Sequence, residues 1–174
     1  MLQIIIGNIV AFIGCILMVY TGLIKEKKRI ILVQTIQIAF LIASNLILGG
    51  ITGAIINAIS CIRNIICYKD KLGTKEKIIL IIFSTSLSFY FNNLGIIGLL
   101  PLASTISYTL LMDMKDLIKF KILIIFTLVM WLIYDIYIMS YSSAAFDFLN
   151  IITNAIAIYQ INKIKNKKAM QINT

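Results

Sequence analysis

Residues 45–64 read NLILGGITGAIINAISCIRN and residues 135–154 read DIYIMSYSSAAFDFLNIITN. Set against each other at a shift of 90, they pair Asn45 with Asp135, Asn57 with Asp147 and Asn64 with Asn154. Amides and carboxylates are scarce in segments otherwise this apolar, so three pairings at one offset predict a duplication of the kind from which many membrane carriers are built. The shift extends into the preceding connections, where Lys25 pairs with Lys115, Glu26 with Asp116 and Arg29 with Lys119 without a gap. The competing reading is that Ile-rich spans joined by loops of similar length align at some offset without common origin.

Working outward, charge clusters and polar breaks divide the chain into seven apolar segments at 2–23, 30–48, 51–68, 78–92, 94–112, 122–141 and 144–162. The fourth is short and holds Ser84, Thr85, Ser86 and Ser88. The connections alternate. Lys25 to Arg29, Lys69 to Lys77, Lys115 to Lys121 and the tail from Lys163 to Lys168 are basic, whereas Gly49-Gly50, Asn92-Asn93 and Tyr141 to Ser143 are neutral. Because basic loops remain on the cytoplasmic side, this alternation predicts an outside N-terminus and a cytoplasmic C-terminus. Both repeats then start outside and run parallel, and the fourth helix returns the chain between them. The expected fold is an all-α membrane protein of seven transmembrane helices in a 3+1+3 arrangement. Residues 1–70 form the first three-helix repeat, 71–93 the inverting linker helix, 94–162 the second repeat and 163–174 a basic cytoplasmic tail.

Composition agrees with this reading. Of 174 residues, 60% are hydrophobic and 13% charged, and the mean hydropathy is +0.98, whereas soluble domains carry roughly a quarter charged residues. Seven spans of about 20 residues leave no room for an aqueous domain. The formal charge of +9 therefore belongs to loops beside a lipid bilayer, not to a nucleic-acid surface. Met1-Leu2-Gln3 lacks the basic start of a cleaved signal peptide, so the first segment is expected to remain as a helix. Cys15, Cys61 and Cys67 lie in apolar segments and are expected to be buried small residues. Histidine is absent. With no metal-ligand cluster, no serine–base pair and no Gly-rich phosphate loop, neither enzyme activity nor a metal or cofactor is expected.

At this point the chain resembles the SWEET/PQ-loop superfamily of small-solute carriers, in its parallel three-helix repeat, inverting helix, outside N-terminus and matched polar residues on helices three and seven. Within that group, the length and the stretch Gly53 to Asn64 (Gly-x-x-x-Asn-x-x-x-x-x-Arg-Asn) resemble the bacterial inner-membrane YgjV-like branch. The resemblance implies a central solute pathway between two bundles, with Asn57 or Asn64 facing substrate from helix three and Asn154 from helix seven. The sequence also departs from the pattern. The Pro-Gln pair is absent, and Pro101 in helix five has no partner in helix one, which argues against rocking about paired proline hinges.

Charged groups in hydrocarbon cost free energy and normally face protein or water. Asp135, in helix six, and Asp147, at the start of helix seven, are expected near the same surface and near each other. Two adjacent carboxylates in low dielectric do not both ionise cheaply, so one is expected to couple transport to protons. The alternative for Asp147 is a solvated cap of helix seven. Asp147, Asn150 and Asn154 share one helical face, as do Asn57 and Asn64. The choice is between a solute pathway and interhelical hydrogen bonding. Arg63 is either a residue snorkelling to the inner headgroups or a counter-ion for a carboxylate or an anionic substrate group. Trp131 shares a face with Asp135 and is read as an aromatic wall or a packed core residue. Tyr20 and Tyr108 occupy near-repeat positions. Gly49, Gly50 and Gly53 are expected to allow a tight turn and close approach of helices two and three.

The function these features favour is an alternating-access carrier for a small polar metabolite such as a sugar, vitamin precursor or amino acid, driven by protons or passive. It would sit in the bacterial cytoplasmic membrane as a multi-pass protein whose partners are its solute and the bilayer; nothing in the sequence requires an oligomer. The alternative is a ligand receptor or interaction protein on the same scaffold, without transport.

Overall fold

The computed structural model describes residues 1–23, 27–112, 114 and 116–172. Lys25, Glu26, Lys115 and the side chain of Tyr20, which the loop-charge and repeat readings used, lie outside the described residues. Among those described, the chain is entirely helical: α1 (Leu2–Leu23), α2 (Lys27–Ile47), α3 (Ile51–Tyr68), α4 (Thr74–Phe91), α5 (Gly95–Gly98), α6 (Leu100–Leu111), α7 (Leu117–Tyr137) and α8 (Tyr141–Ile172). Seven of these are long. The single turn α5 leads through Leu99 into α6, so the fifth apolar segment is one helix broken near its start. Pro101 stands at the opening of α6, where its missing N–H has no intrahelical acceptor to lose.

Several boundaries move from their sequence positions, and capping explains two of them. Asp116 accepts hydrogen bonds from the N–H groups of Ile118 and Lys119 at 2.8 and 3.1 Å, which starts α7 five residues before the expected 122. Glu76 accepts from Gly73 N–H at 2.9 Å and starts α4 at Thr74, ahead of the expected 78. At the other end of the chain α8 continues to Ile172, so the segment expected as a separate tail is a helical extension of the last span.

The helices meet in a regular way. α1 packs on α2, α2 on α3, α6 on α7 and α7 on α8. The first long helix of each half also touches the last of the other, α1 against α8 and α6 against α3, while α4 bridges α3 and α6. The turn between α2 and α3 and the turn between α7 and α8 have one geometry. Gly50 N–H donates to Asn45 O and Ser140 N–H to Asp135 O, both at 2.8 Å. Gly49 and Met139 are both left-handed, with φ of +79° and +61°. The left-handed region suits glycine and strains methionine, yet the same connection forms from both sequences.

Three helices are long and apolar enough to cross a membrane, Ile51–Tyr68, Ile118–Tyr137 and Tyr141–Lys163, with shorter apolar helices at Leu2–Met18, Ile31–Ile47 and Gly95–Leu111. The distribution of side chains is inverted relative to a soluble protein. Ile9, Phe12, Ile36, Ile82, Ile133 and Phe148 face outward, whereas Asn45, Thr52, Asn57, Ser60, Ser84, Ser88 and Thr109 are buried. The serines that made the fourth segment look weak thus include two, Ser84 and Ser88, turned into the bundle. Such a surface has lower free energy in hydrocarbon than in water.

A close local contact also joins α7 to α3. Tyr134, 0% exposed, places its hydroxyl at 2.9 Å from Gly53 N–H, which donates to it. That N–H lies in the first turn of α3, where the helix supplies no acceptor of its own. A Cβ at Gly50 or Gly53 would come within 2.6 Å of Tyr134. Gly49 and Gly50 make the turn, as expected, and Gly50 and Gly53 also admit the Tyr134 ring of α7. On the other half, Asn8 of α1 joins both sides of the α7–α8 turn. Its Nδ2 donates to Met139 O at 2.9 Å and its Oδ1 accepts from Ser142 N–H at 2.8 Å.

Two substitutions test this joint. Gly53→Ala forces a methyl group into the Tyr134 ring and is expected to cost about 1–3 kcal/mol. Tyr134→Phe leaves the Gly53 N–H without its buried acceptor and is expected to cost a similar ~1–3 kcal/mol. Thermal unfolding in detergent reads both, and a Tm unchanged from wild type in either would remove the joint from the account of stability.

Candidate functional site

Two buried polar clusters lie at the two places where the first long helix of one half meets the last of the other. The first is acidic. Consecutive residues on a helix point about 100° apart, so while Tyr134 reaches α3, Asp135 turns toward α8. There it interacts electrostatically with Asp147, and Cys15 of α1 interacts with both carboxylates. Asp135 is 4% and Asp147 7% exposed. Cys15 is in hydrogen-bonding contact with Ser143, whose hydroxyl oxygen accepts from Ser140 at 3.0 Å. Phe12 and Phe146 close the α1–α8 contact beside it, edge to face at 5.8 Å.

The two acids are thus neighbours, as expected. The capping alternative for Asp147 fails for a simple reason. α8 begins at Tyr141, so Asp147 lies in its second turn and is buried. One of its oxygens, Oδ2, is buried with no hydrogen-bond partner, and so is Nδ2 of Asn150 one turn further along. Asn154, the third residue of that face, donates to Asn150 O at 2.9 Å and accepts from Lys121 Nζ at 3.2 Å. It is tied to α7 by a lysine from the basic end of the molecule.

The second cluster is cationic and lies between α3 and α6. Arg63 is 6% exposed. Its Nε and Nη2 donate to Asn64 Oδ1 at 3.4 and 3.2 Å, and its Nη1 donates to Thr109 Oγ1 at 3.3 Å. The guanidinium stacks over the Tyr108 ring, 4.7 Å from its centre. Neither sequence reading of Arg63 matches this arrangement in full. The side chain does not snorkel, and among the described residues no carboxylate is paired with it. Long-range packing of α6 on α3 buries it, which periodicity along α3 alone does not reveal.

Of the other amides expected along the pathway, Asn45 lies on α2 and Asn57 on α3. Asn45 and Asn57 are buried, and Asn57 Nδ2 has no hydrogen-bond partner. Trp131 is half-buried and packs edge to face on Tyr134 at 5.8 Å, on the side of the interhelical joint. Cys15 is buried as expected, but Cys61 and Cys67 are only half-buried, and all three are free thiols. Among the described residues no group of His, Cys, Asp and Glu could hold a metal ion. Two clefts open elsewhere. One runs along α1 past Asn8 to Ser142, and the other lies between the α2–α3 and α7–α8 turns, near Leu94. Sequence reasoning missed Asn8 and Tyr134. Asn8 stands near the start of an apolar span, where a lone amide gives no hint of a partner 131 residues away. Tyr134 was hidden by its neighbour Asp135, which drew the functional reading.

Apolar outer faces, polar interior seams and helices of spanning length define a helical membrane protein. Residues 5–165 match the family Imp-YgjV, bacterial inner membrane protein, and the chain belongs to that family. No curated protein and no solved structure matches it.

The acidic cluster makes its own prediction. Asp135→Asn keeps the side-chain volume while removing one of two neighbouring buried carboxylates, and asparagine already stands at residue 45. The variant is expected to unfold at higher temperature than wild type, with a gain of about 1 kcal/mol or more. A lower Tm would mean that the Asp135 carboxyl makes stabilising contacts that the amide does not reproduce.

Proposed function

We propose that this protein is a carrier that moves a small polar metabolite across the bacterial inner membrane by alternating access, with Asp135 and Asp147 linking transport to protons. The observation that carries this reading is the acid pair buried at the α1–α8 junction. Its counterparts 90 residues earlier, Asn45 and Asn57, are buried as well. The counterpart of Cys15 at the same shift is Thr105, also buried. One junction therefore has two carboxylates where the other has two amides. A scaffold of two similar halves with a titratable site in only one of them suits a cycle in which a proton and a solute occupy different halves of one pathway.

The duplication itself belongs to this reading: two parallel three-helix repeats, 1–70 and 94–162, joined by an inverting helix, in the manner of the SWEET/PQ-loop carriers. It is supported by the crossed packing of α1 on α8 and α6 on α3, and by the repeated turn at a 90-residue spacing. The same reading has the N-terminus outside, supported by the basic connections at the opposite end, which favour the cytoplasmic side. In this scheme Asn57, Asn64, Asn150 and Asn154 line the solute path with Asn45 and Trp131 behind them, and no chemical step or cofactor is required.

Two experiments test the proposal. A cysteine at exposed Asn93, in a background lacking the three native cysteines, is expected to react with an impermeant maleimide only from outside, and one at Lys71 only from inside; the reverse pattern overturns the orientation. In proteoliposomes loaded with a pH-sensitive dye, addition of the transported metabolite from a panel of sugars, amino acids and organic acids is expected to move protons inward. Asp135→Asn is expected to abolish proton movement and gradient-driven accumulation while leaving passive exchange. Unchanged accumulation in the variant removes Asp135 from coupling, and saturable binding without any flux assigns the receptor function instead.

A further inference from the structure

Among the described residues, no acid is in contact with Arg63 to balance its charge. A guanidinium carries five N–H donors in a planar fork, and here Asn64 and Thr109 accept from three of them at long distances of 3.2 to 3.4 Å. Both partners are neutral. Tyr108 covers one face of the fork and so restricts approach to its plane and edge. The remaining two donors have no protein acceptor among the described residues. On the same helix, Asn57 lies two turns before Asn64 on one face, and its Nδ2 is a further buried donor without a partner. Ser60, between them, is buried on the same helix.

Donors therefore predominate along this seam, and one positive charge is fixed at its end. We propose that Arg63, Asn57 and the α3–α6 seam form the recognition site for a small monocarboxylate, so that the solute is an organic-acid anion. The planar fork matches the two oxygens of a carboxylate in a way that a point cation does not. The single positive charge of Arg63 balances a single negative charge, which favours a carboxylate over a phosphate dianion. Asn57, roughly 10 Å along the axis from Asn64, is out of reach of the smallest carboxylates and meets an acceptor only on a longer one. Calling this anion the substrate rests on the carrier reading; its binding does not.

The test is made on the full chain in detergent, with sodium salts of acetate, pyruvate, butyrate and benzoate as probes. Their matched neutral amides and inorganic phosphate serve as comparisons, with ionic strength held constant by sodium chloride. A saturable rise in Tm with one or more carboxylates, absent with the matching amide, is expected. Arg63→Lys keeps the charge but loses the fork, and is expected to weaken the response about tenfold or more. Asn64→Asp supplies an internal carboxylate beside Arg63; it is expected to fold at least as stably as wild type and to lose the response. Should Arg63→Lys not fold, Asn64→Asp alone locates the site. No response to any carboxylate, a response to phosphate only, or an undiminished response in Asn64→Asp overturns the proposal. Carboxylate binding without flux in proteoliposomes keeps the site and removes the carrier, whereas flux of a neutral solute with no carboxylate response does the reverse.

Discussion

Hydrocarbon offers no hydrogen bonds, and the polar side chains of the spans are disposed accordingly. Amides, hydroxyls, two carboxylates and an arginine turn inward, and isoleucine and phenylalanine cover the outside. The consequences reach the backbone. The first turn of α3 has N–H groups with no helical acceptor, and in a bundle surrounded by lipid the acceptor must come from protein. Tyr134 supplies it, and Gly50 and Gly53 are the room it needs. At the other turn, Asn8 does the equivalent work with a side chain from α1. The two halves are thus held together where their helix ends need partners.

This arrangement places the two clusters. With Tyr134 against α3, the next residue on α7, Asp135, points toward α8 and α1. The acid pair adjoins the joint in geometry, though not in chemistry. A structural interior has no use for two neighbouring carboxylates, because replacing one with an amide of equal size removes repulsion and keeps the hydrogen-bonding capacity. Arg63 is in a similar position on the opposite seam. Its neighbours hold the guanidinium in place through neutral acceptors and an aromatic face without neutralising it.

The two clusters also differ in a way that bears on mechanism. The acidic one joins three helices, α1, α7 and α8, so a change in its charge acts on the contact between the halves. The cationic one joins α3 and α6, the corresponding contact on the other side. In the proposed carrier, a proton at one junction and an anion at the other act on the two contacts between the halves, which is how binding at separate sites becomes coupled.

Much of this was legible in one dimension. Hydropathy and loop charge are local, so the seven long helices and the buried character of Asn45, Asn57, Asp135 and Asp147 followed from composition and spacing. The shared turn at Asn45 to Gly50 and Asp135 to Ser140 agrees with the 90-residue shift, although hydropathy placed the second connection later, at Tyr141 to Ser143. Helix ends were less legible, since Asp116 and Glu76 extend α7 and α4 through caps that hydropathy counts as loop. What the tertiary structure alone decided is which helix each inward side chain meets. Gly53 meets Tyr134 across 81 residues, Asn8 meets Met139 and Ser142, and Arg63 meets Thr109. Each of these contacts depends on the rotation and depth of two helices at once. That rotation is chosen by shape and by the need of buried N–H and C=O groups for a partner, and no periodicity within a single helix records it.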